Sequence, residues 1–146
     1  MIMKEQDFLN QLHHEKIVSA IRDAEQKTSG EIRVFVSRKL VDDPVIAAQA
    51  AFVELGMQKT AERNGVLIFV APQVCKFAVI GDSAIHAKCG DVFWSEMRDS
   101  MGEHFRKSDF SQGIILGIKK AADLLAQHFP RRPDDRNELP DDVAHD

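Results

Sequence analysis

Cysteine and long hydrophobic runs are both scarce in this sequence of 146 residues. The two cysteines, Cys75 and Cys89, have neither the paired spacing of a zinc site nor the density of a disulfide scaffold, so we interpret them as reduced packing thiols. The longest apolar run, residues 66–71, is far too short to cross a membrane, and the charged N-terminus lacks the apolar core of a signal peptide. We therefore expect a cytoplasmic protein without a transmembrane segment.

Basic clusters and common catalytic signatures are also missing. No run of Lys or Arg exceeds two residues and the net charge is -4, which argues against nucleic acid as a partner. The sequence has no glycine-rich phosphate loop followed by Lys, no G-x-S-x-G, no H-E-x-x-H and no G-x-G-x-x-G. Covalent catalysis by serine or cysteine therefore has no visible support.

Helical and extended patterns alternate along the chain. Apolar residues at helical spacing, with Asp43, Pro44 and Gly56 as start and stop signals for the second segment, predict helices over 10–27, 42–56, 91–105 and 110–129. "EIRVFVS" alternates with period two, while "RNGVLIFVAP" and "FAVIGD" are continuous apolar runs, and each predicts a strand.

The connections between these segments predict the fold. The first two strands are joined through a helix and should be parallel, whereas the link "PQVCK" is so short that the second and third should form an antiparallel hairpin. We expect an α/β fold, a three-layer α/β/α sandwich with a small mixed sheet of three to four strands and about four helices. Residues 1–129 would form one domain, and the Pro-rich acidic tail, 130–146, is either solvated or docked through Leu139 and Val143.

These strand directions bring polar residues to one end of the sheet. Glu31 and Arg63-Asn64 precede the first two strands, and Asp82 follows the third, so all should lie together. His86 stands one helical turn after Asp82, and Asp91 begins the next helix. Asp42 and Asp43 lie at the opposite end, where helix capping explains them.

The carboxylates of Glu31, Asp82 and Asp91 would suit a divalent cation, Ca²⁺ or Mg²⁺, because these ions prefer oxygen ligands. Arg63 would hold the oxygens of a phosphate ester, and Asp82 would help to hold the cation whose bound water attacks the phosphorus. Asp82 and Arg63 are thus the candidate catalytic residues, and Asn64 and His86 are additional site residues. Simpler structural roles compete with each assignment. Asp82 would stabilise a turn, Asp91 would cap a helix, Asn64 would belong to a turn, and His86 would be a surface histidine.

An ordered set of motifs resembles the TPM domain family: "TSGEIRVFVS", "RNGVLIFVA", "IGDSAIHAKCGDVFW", "FSQGIILGI" and "FPRRPDDRNELPD". The resemblance covers about residues 8–141 and implies an α/β/α sandwich. Some members of that family are described as acid phosphatases, some as binders of divalent cations, and others as accessory factors for membrane complexes. The family's recurrent polar positions correspond here to Glu31, Arg63, Asn64, Asp82 and Asp91. A glycine of many members is replaced by Ala84. We expect this chain to be a short stand-alone member without the signal peptide and membrane anchor of longer members.

Two hypotheses follow from the residues and the resemblance. The favoured one is a cation-binding accessory domain that docks a protein partner. The alternative is a metal-dependent hydrolase of the acid-phosphatase type that acts on phosphate esters, which is weakened because no dedicated general acid is evident.

Overall fold

A computed structural model describes residues 14–107, 109–131 and 143–146 of the chain, and for residues 89 and 91–93 the backbone alone. The elements in these ranges follow in the order α1 (His14–Glu25), β1 (Glu31–Val36), α2 (Pro44–Glu54), β2 (Gly65–Ala71), β3 (Lys76–Gly81), α3 (Ser83–Arg106), α4 (Phe110–His128) and β4 (Val143–His145). Short 3₁₀ turns at Met57–Lys59 and Pro72–Val74 flank β2.

The four described strands form one mixed sheet in the order β3-β2-β1-β4. β1 is parallel to both β2 and β4, and β2 and β3 form an antiparallel hairpin. The predicted strand directions are therefore confirmed. Every residue of β2 is buried because this strand is covered on both faces, which explains its uninterrupted apolar sequence.

Helices cover the two faces of the sheet unequally. α1, α3 and α4 pack on one face over a large core, which includes Ile32, Val66 and Met101. On the other face α2 encloses a smaller core that includes Phe52 and Leu67. This arrangement confirms the predicted α/β/α sandwich.

The helix boundaries have local chemical causes. The Asp43 carboxylate accepts hydrogen bonds from the amides of Val45 and Ile46, at 2.9 and 3.3 Å, and Pro44 supplies the fixed φ of the first turn of α2. α3 continues from Ser83 to Arg106 across a break at Gly90, whose φ of 70° is left-handed. The segment after Asp82 is therefore the first part of a long helix, and the predicted helix start at Asp91 follows the break.

The fourth strand comes from the region beyond residue 130. Val143 pairs with Val34 and is buried in the large core. Asp146 accepts hydrogen bonds from the Ser37 hydroxyl and the Arg38 amide, each at 2.7 Å. Leu139, the other predicted anchor, lies outside the described residues.

Among the helices in the described ranges, none is long and apolar enough to cross a membrane.

Candidate functional site

The predicted polar residues surround the first residue of β2. Glu31 pairs with Gly65 in the parallel ladder, and the Asp82 amide donates to the Gly65 carbonyl at 2.9 Å from the other side. Glu31 and Asp82 therefore lie at the same end of the sheet, but on alternate strands. Their backbones are separated by about 10 Å, twice the spacing of neighbouring strands.

Asp82 and Arg63 form a bidentate ion pair. The Arg63 Nε donates to Asp82 Oδ2 at 2.8 Å, and Nη2 donates to Oδ1 at 2.9 Å. The aspartate side chain is 5% exposed and the arginine side chain 52% exposed, so the pair extends from the interior to the surface. This geometry matches the planar fork of a guanidinium to a carboxylate.

The pair has opposite effects on its two pKa values. Burial alone would raise the pKa of Asp82, but hydrogen bonds from Arg63 and the Ser83 amide, together with the charge of Arg63, outweigh burial and hold that pKa below its usual value. The hydrogen bond to Asp82 and the charge of its carboxylate raise the pKa of Arg63. Both groups are consequently ionised at neutral pH, and each neutralises the other.

The first turn of α3 is already capped by these same two residues. The Ser83 amide donates to Asp82 Oδ1 at 2.7 Å, and the Ala84 amide donates to the Arg63 carbonyl at 3.1 Å. Arg63 reaches this position with a left-handed φ of 52°, which is uncommon for a residue other than glycine. Two amides that would otherwise attract an anion at this helix N-terminus are therefore engaged.

Asn64 belongs to a separate polar cluster. Its side-chain nitrogen donates to the Glu62 carboxylate at 3.0 Å and to the Ser29 hydroxyl at 3.4 Å, and that hydroxyl donates to Glu62 at 2.8 Å. Sequence reasoning placed Asn64 beside Arg63 and missed Ser29 and Glu62. No sequence signal identifies this cluster, because Ser29 joins Glu62 and Asn64 only when the start of β1 meets the start of β2.

His86 packs against an aromatic ring. The centre of its imidazole lies 5.1 Å from the centre of the Trp94 ring, which belongs to the part of α3 after the break at Gly90. The Trp94 ring in turn approaches Gly81, the last residue of β3. His86 and Trp94 thus border the end of β3 at which Asp82 and Arg63 are found.

The described residues contain no group of three His, Cys, Asp or Glu side chains able to hold a metal ion. The backbone of Asp91 lies in α3, but its side chain is outside the described part of the structure. Both Asp82 oxygens already accept hydrogen bonds from Arg63, so a cation would have to compete with this guanidinium for the carboxylate. The described residues alone do not fit a cation site, and the site of Glu31, Asp82 and Asp91 stays a prediction.

An open groove of about 610 Å³ runs along the outer edge of β3, and we call it the edge groove. Its floor is formed by residues 79–81 of β3, with Arg63 and Asp82 at one end. Val45 and Val53 of α2 form one wall, and Trp94 and Arg98 of α3 form the other. This volume is in the range of ligand-binding sites.

The exposed apolar surface of α2 was not predicted from the sequence. Val45, Ile46 and Val53 are 46%, 64% and 60% exposed, although the opposite face of α2 is buried in the small core. A helix that is apolar all round is normally buried on all sides. The composition of "PVIAAQAAFVE", with one charged residue in eleven, is the signal that would have indicated this exposed apolar surface.

Comparisons with known proteins agree with this fold. The family model described as TPM domain matches residues 2–124. The NMR structure of the BA42 protein from the psychrophilic bacterium Bizionia argentinensis is 40% identical, covers 91% of this chain and 92% of its own, and gives a TM-score of 0.86. The N-terminal domain of a P. gingivalis protein is 15% identical with a TM-score of 0.60, over 90% of this chain and 98% of its own, and supports the fold alone. No curated protein sequence matches this chain.

Proposed function

The chain belongs to the TPM domain family, and we propose that it is a non-catalytic accessory domain that binds a protein partner in the edge groove. One observation carries this proposal. The two residues best suited to catalysis, Asp82 and Arg63, form an ion pair with each other and cap the start of α3. The groove beside them is open and partly apolar.

The ion pair with Arg63 argues against a role of Asp82 in proton transfer. A general acid or base works best with a pKa near the operating pH, and the Arg63 guanidinium moves the pKa of Asp82 in the opposite direction. Among the described residues that line the edge groove, Asp82 is the only carboxylate. A hydrolase that relied on paired carboxylates would need a second one there.

The alternative, a phosphate-ester hydrolase, is supported by the exposure of Arg63. This side chain is half exposed and lines the groove together with His86, so a phosphate group would have access to it. This function ranks second because the amides of Ser83 and Ala84, which would complete a phosphate site at the helix N-terminus, already have acceptors.

Cation binding at Glu31, Asp82 and Asp91 is a narrower proposal. The ionised state of Asp82 supports it, since Ca²⁺ and Mg²⁺ bind carboxylates in this form. Competition with the Arg63 guanidinium should make the affinity low. Calorimetric titration with Ca²⁺ and with Mg²⁺ tests the proposal on the wild type, Asp82→Asn, Glu31→Gln and Asp91→Asn, with Asp42→Asn as the control because that exposed carboxylate lies at the opposite end of the sheet.

Hydrolysis of an aryl phosphate, with and without Ca²⁺ or Mg²⁺, tests the choice between accessory domain and hydrolase. We expect no turnover above the buffer background for wild type, Asp82→Asn or Asp42→Asn. Turnover by the wild type and by Asp42→Asn, but not by Asp82→Asn, would refute the non-catalytic proposal and favour the hydrolase.

A further inference from the structure

Among the described strands, β3 lies at the edge of the sheet beside the edge groove, and none of them pairs with its outer backbone groups. We propose that an extended segment of a partner protein adds to β3 as a further strand, with alternate apolar side chains against α2 and an acidic residue at Arg98. This inference rests on the proposed function and specifies how the partner is held.

The hydrogen-bond pattern of the hairpin identifies the available backbone groups. The Asp82 amide bonds to the Gly65 carbonyl, and bonding alternates along an antiparallel ladder, so Ile80 and Ala78 also face β2. The amides and carbonyls of Phe77, Val79 and Gly81 therefore point outward. They offer up to six main-chain hydrogen bonds to an added strand, which is the basis of recognition by strand addition.

β3 also lacks the features that normally protect an edge strand. Its six residues, KFAVIG, pair with β2 in continuous register, and its single charge, Lys76, stands at the start. Protected edges carry prolines, bulges or inward-pointing charges. At the opposite edge of the sheet, by contrast, β4 pairs with residues 34–36 of β1.

The walls of the groove suit a strand with alternating side chains. Successive side chains of an added strand point to opposite faces of the sheet, so one set would meet α2 and the other α3. Val45 and Val53 give α2 an exposed apolar surface at this position. Trp94 and Arg98 give α3 a surface with one apolar and one charged side chain, against which apolar or polar side chains of the added strand could pack.

The charge of the groove indicates the chemistry of the partner. Two arginines, Arg63 and Arg98, line the groove against a single aspartate, Asp82, although the whole chain has a net charge of -4. This local excess of positive charge favours an acidic residue in the bound segment. A second copy of β3 carries a lysine and no carboxylate, so charge favours a different chain over a homodimer.

The experiment begins with a library of random eight-residue peptides displayed on phage. Peptides are selected on the wild type and counter-selected on Val53→Lys, which places a cation on the exposed wall of α2. Selected peptides are resynthesised and their affinities measured by calorimetry. We expect groove-dependent peptides that alternate apolar residues and contain at least one Asp or Glu.

Two matched comparisons then test strand addition. Val79→Pro removes an outward amide, whereas Val79→Thr keeps the amide and the β-branched shape. Methylation of alternate peptide nitrogens removes the reciprocal hydrogen bonds, which ligand amides would donate to the outward carbonyls of β3. It leaves the protein unchanged, so it remains decisive if Val79→Pro fails to fold. Each peptide is methylated on one of its two alternate sets of nitrogens, and only one set faces β3 in an added strand. We expect at least about fivefold weaker binding for Val79→Pro and for one of the two methylated sets, from the loss of one or more hydrogen bonds.

Arg98→Gln should weaken the binding of acidic peptides about fivefold, while Lys119→Gln, an exposed cation on α4, should leave it unchanged. Full affinity of both methylated sets for the groove would overturn strand addition but leave the proposed function intact. The absence of any groove-dependent peptide would overturn both. Self-association in analytical ultracentrifugation that Val79→Pro abolishes and Val79→Thr preserves would identify a second copy as the occupant and overturn the proposal.

Discussion

Gly81→Ala should destabilise the protein by about 1–3 kcal/mol, because Gly81 leaves no room for a side chain. A methyl group at this position would lie 2.3 Å from Cη2 and 2.7 Å from Cζ2 of Trp94, and 3.1 Å from Cβ of Ile85. Favourable carbon contacts occur at about 3.5–4.0 Å, so the indole ring would have to move by more than about 1 Å. That displacement would disturb the large core and one wall of the edge groove.

Urea unfolding followed by circular dichroism measures this cost. The matched control is Gly102→Ala in α3, where the added methyl group would meet nothing closer than 3.4 Å. Alanine is the better residue inside a helix, so the control should be more stable by about 0.5–1 kcal/mol.

A double-mutant cycle with Trp94→Phe tests the cause of the destabilisation. Phenylalanine lacks the two indole atoms that Gly81→Ala would meet, so the double variant should cost at least about 1 kcal/mol less than the sum of the single variants. Additive costs, or a Gly81→Ala variant as stable as the wild type, would refute the claim that Trp94 requires glycine at position 81.

Three further predictions concern the caps, the ion pair and the fourth strand. Asp43→Ala removes the cap of α2 and should cost about 0.5–2 kcal/mol in urea unfolding; an unchanged midpoint would contradict the capping role. Because the folded-state pKa of Asp82 is lowered, its contribution to stability is present above about pH 4 and is lost as the pH falls through that lowered pKa. Arg63→Gln raises this pKa, so its unfolding free energy should fall less between about pH 5 and pH 3 than that of the wild type; equal slopes would show that the pair does not govern the acid response. Val143→Asp should detach β4 and accelerate hydrogen exchange of the Arg38 amide, which donates to Asp146, and unchanged exchange would mean that β4 does not protect it.

Much of the fold follows from local patterns. Period-two alternation and apolar runs identified β1, β2 and β3, and the length of each connection fixed their directions. The glycines of "GIILG" allow α4 to pack closely on α3, because added methyl groups at Gly113 and Gly117 would lie 2.6 Å from Phe105 and Met101 of α3. β4 was harder to predict, since three residues after a Pro-rich segment carry little periodicity.

The sequence by itself determined which residues arrive at the shared end of the sheet, because strand direction depends on connection length and hydrophobic period. Only the tertiary structure decided what those residues do there. Arg63 and Asp82 are 19 positions apart, and whether an aspartate accepts an arginine, a cation or an amide depends on distances of a few ångströms between remote segments. The edge groove likewise exists only because α2 and α3 pack on opposite faces of the sheet and leave the outer backbone of β3 between them.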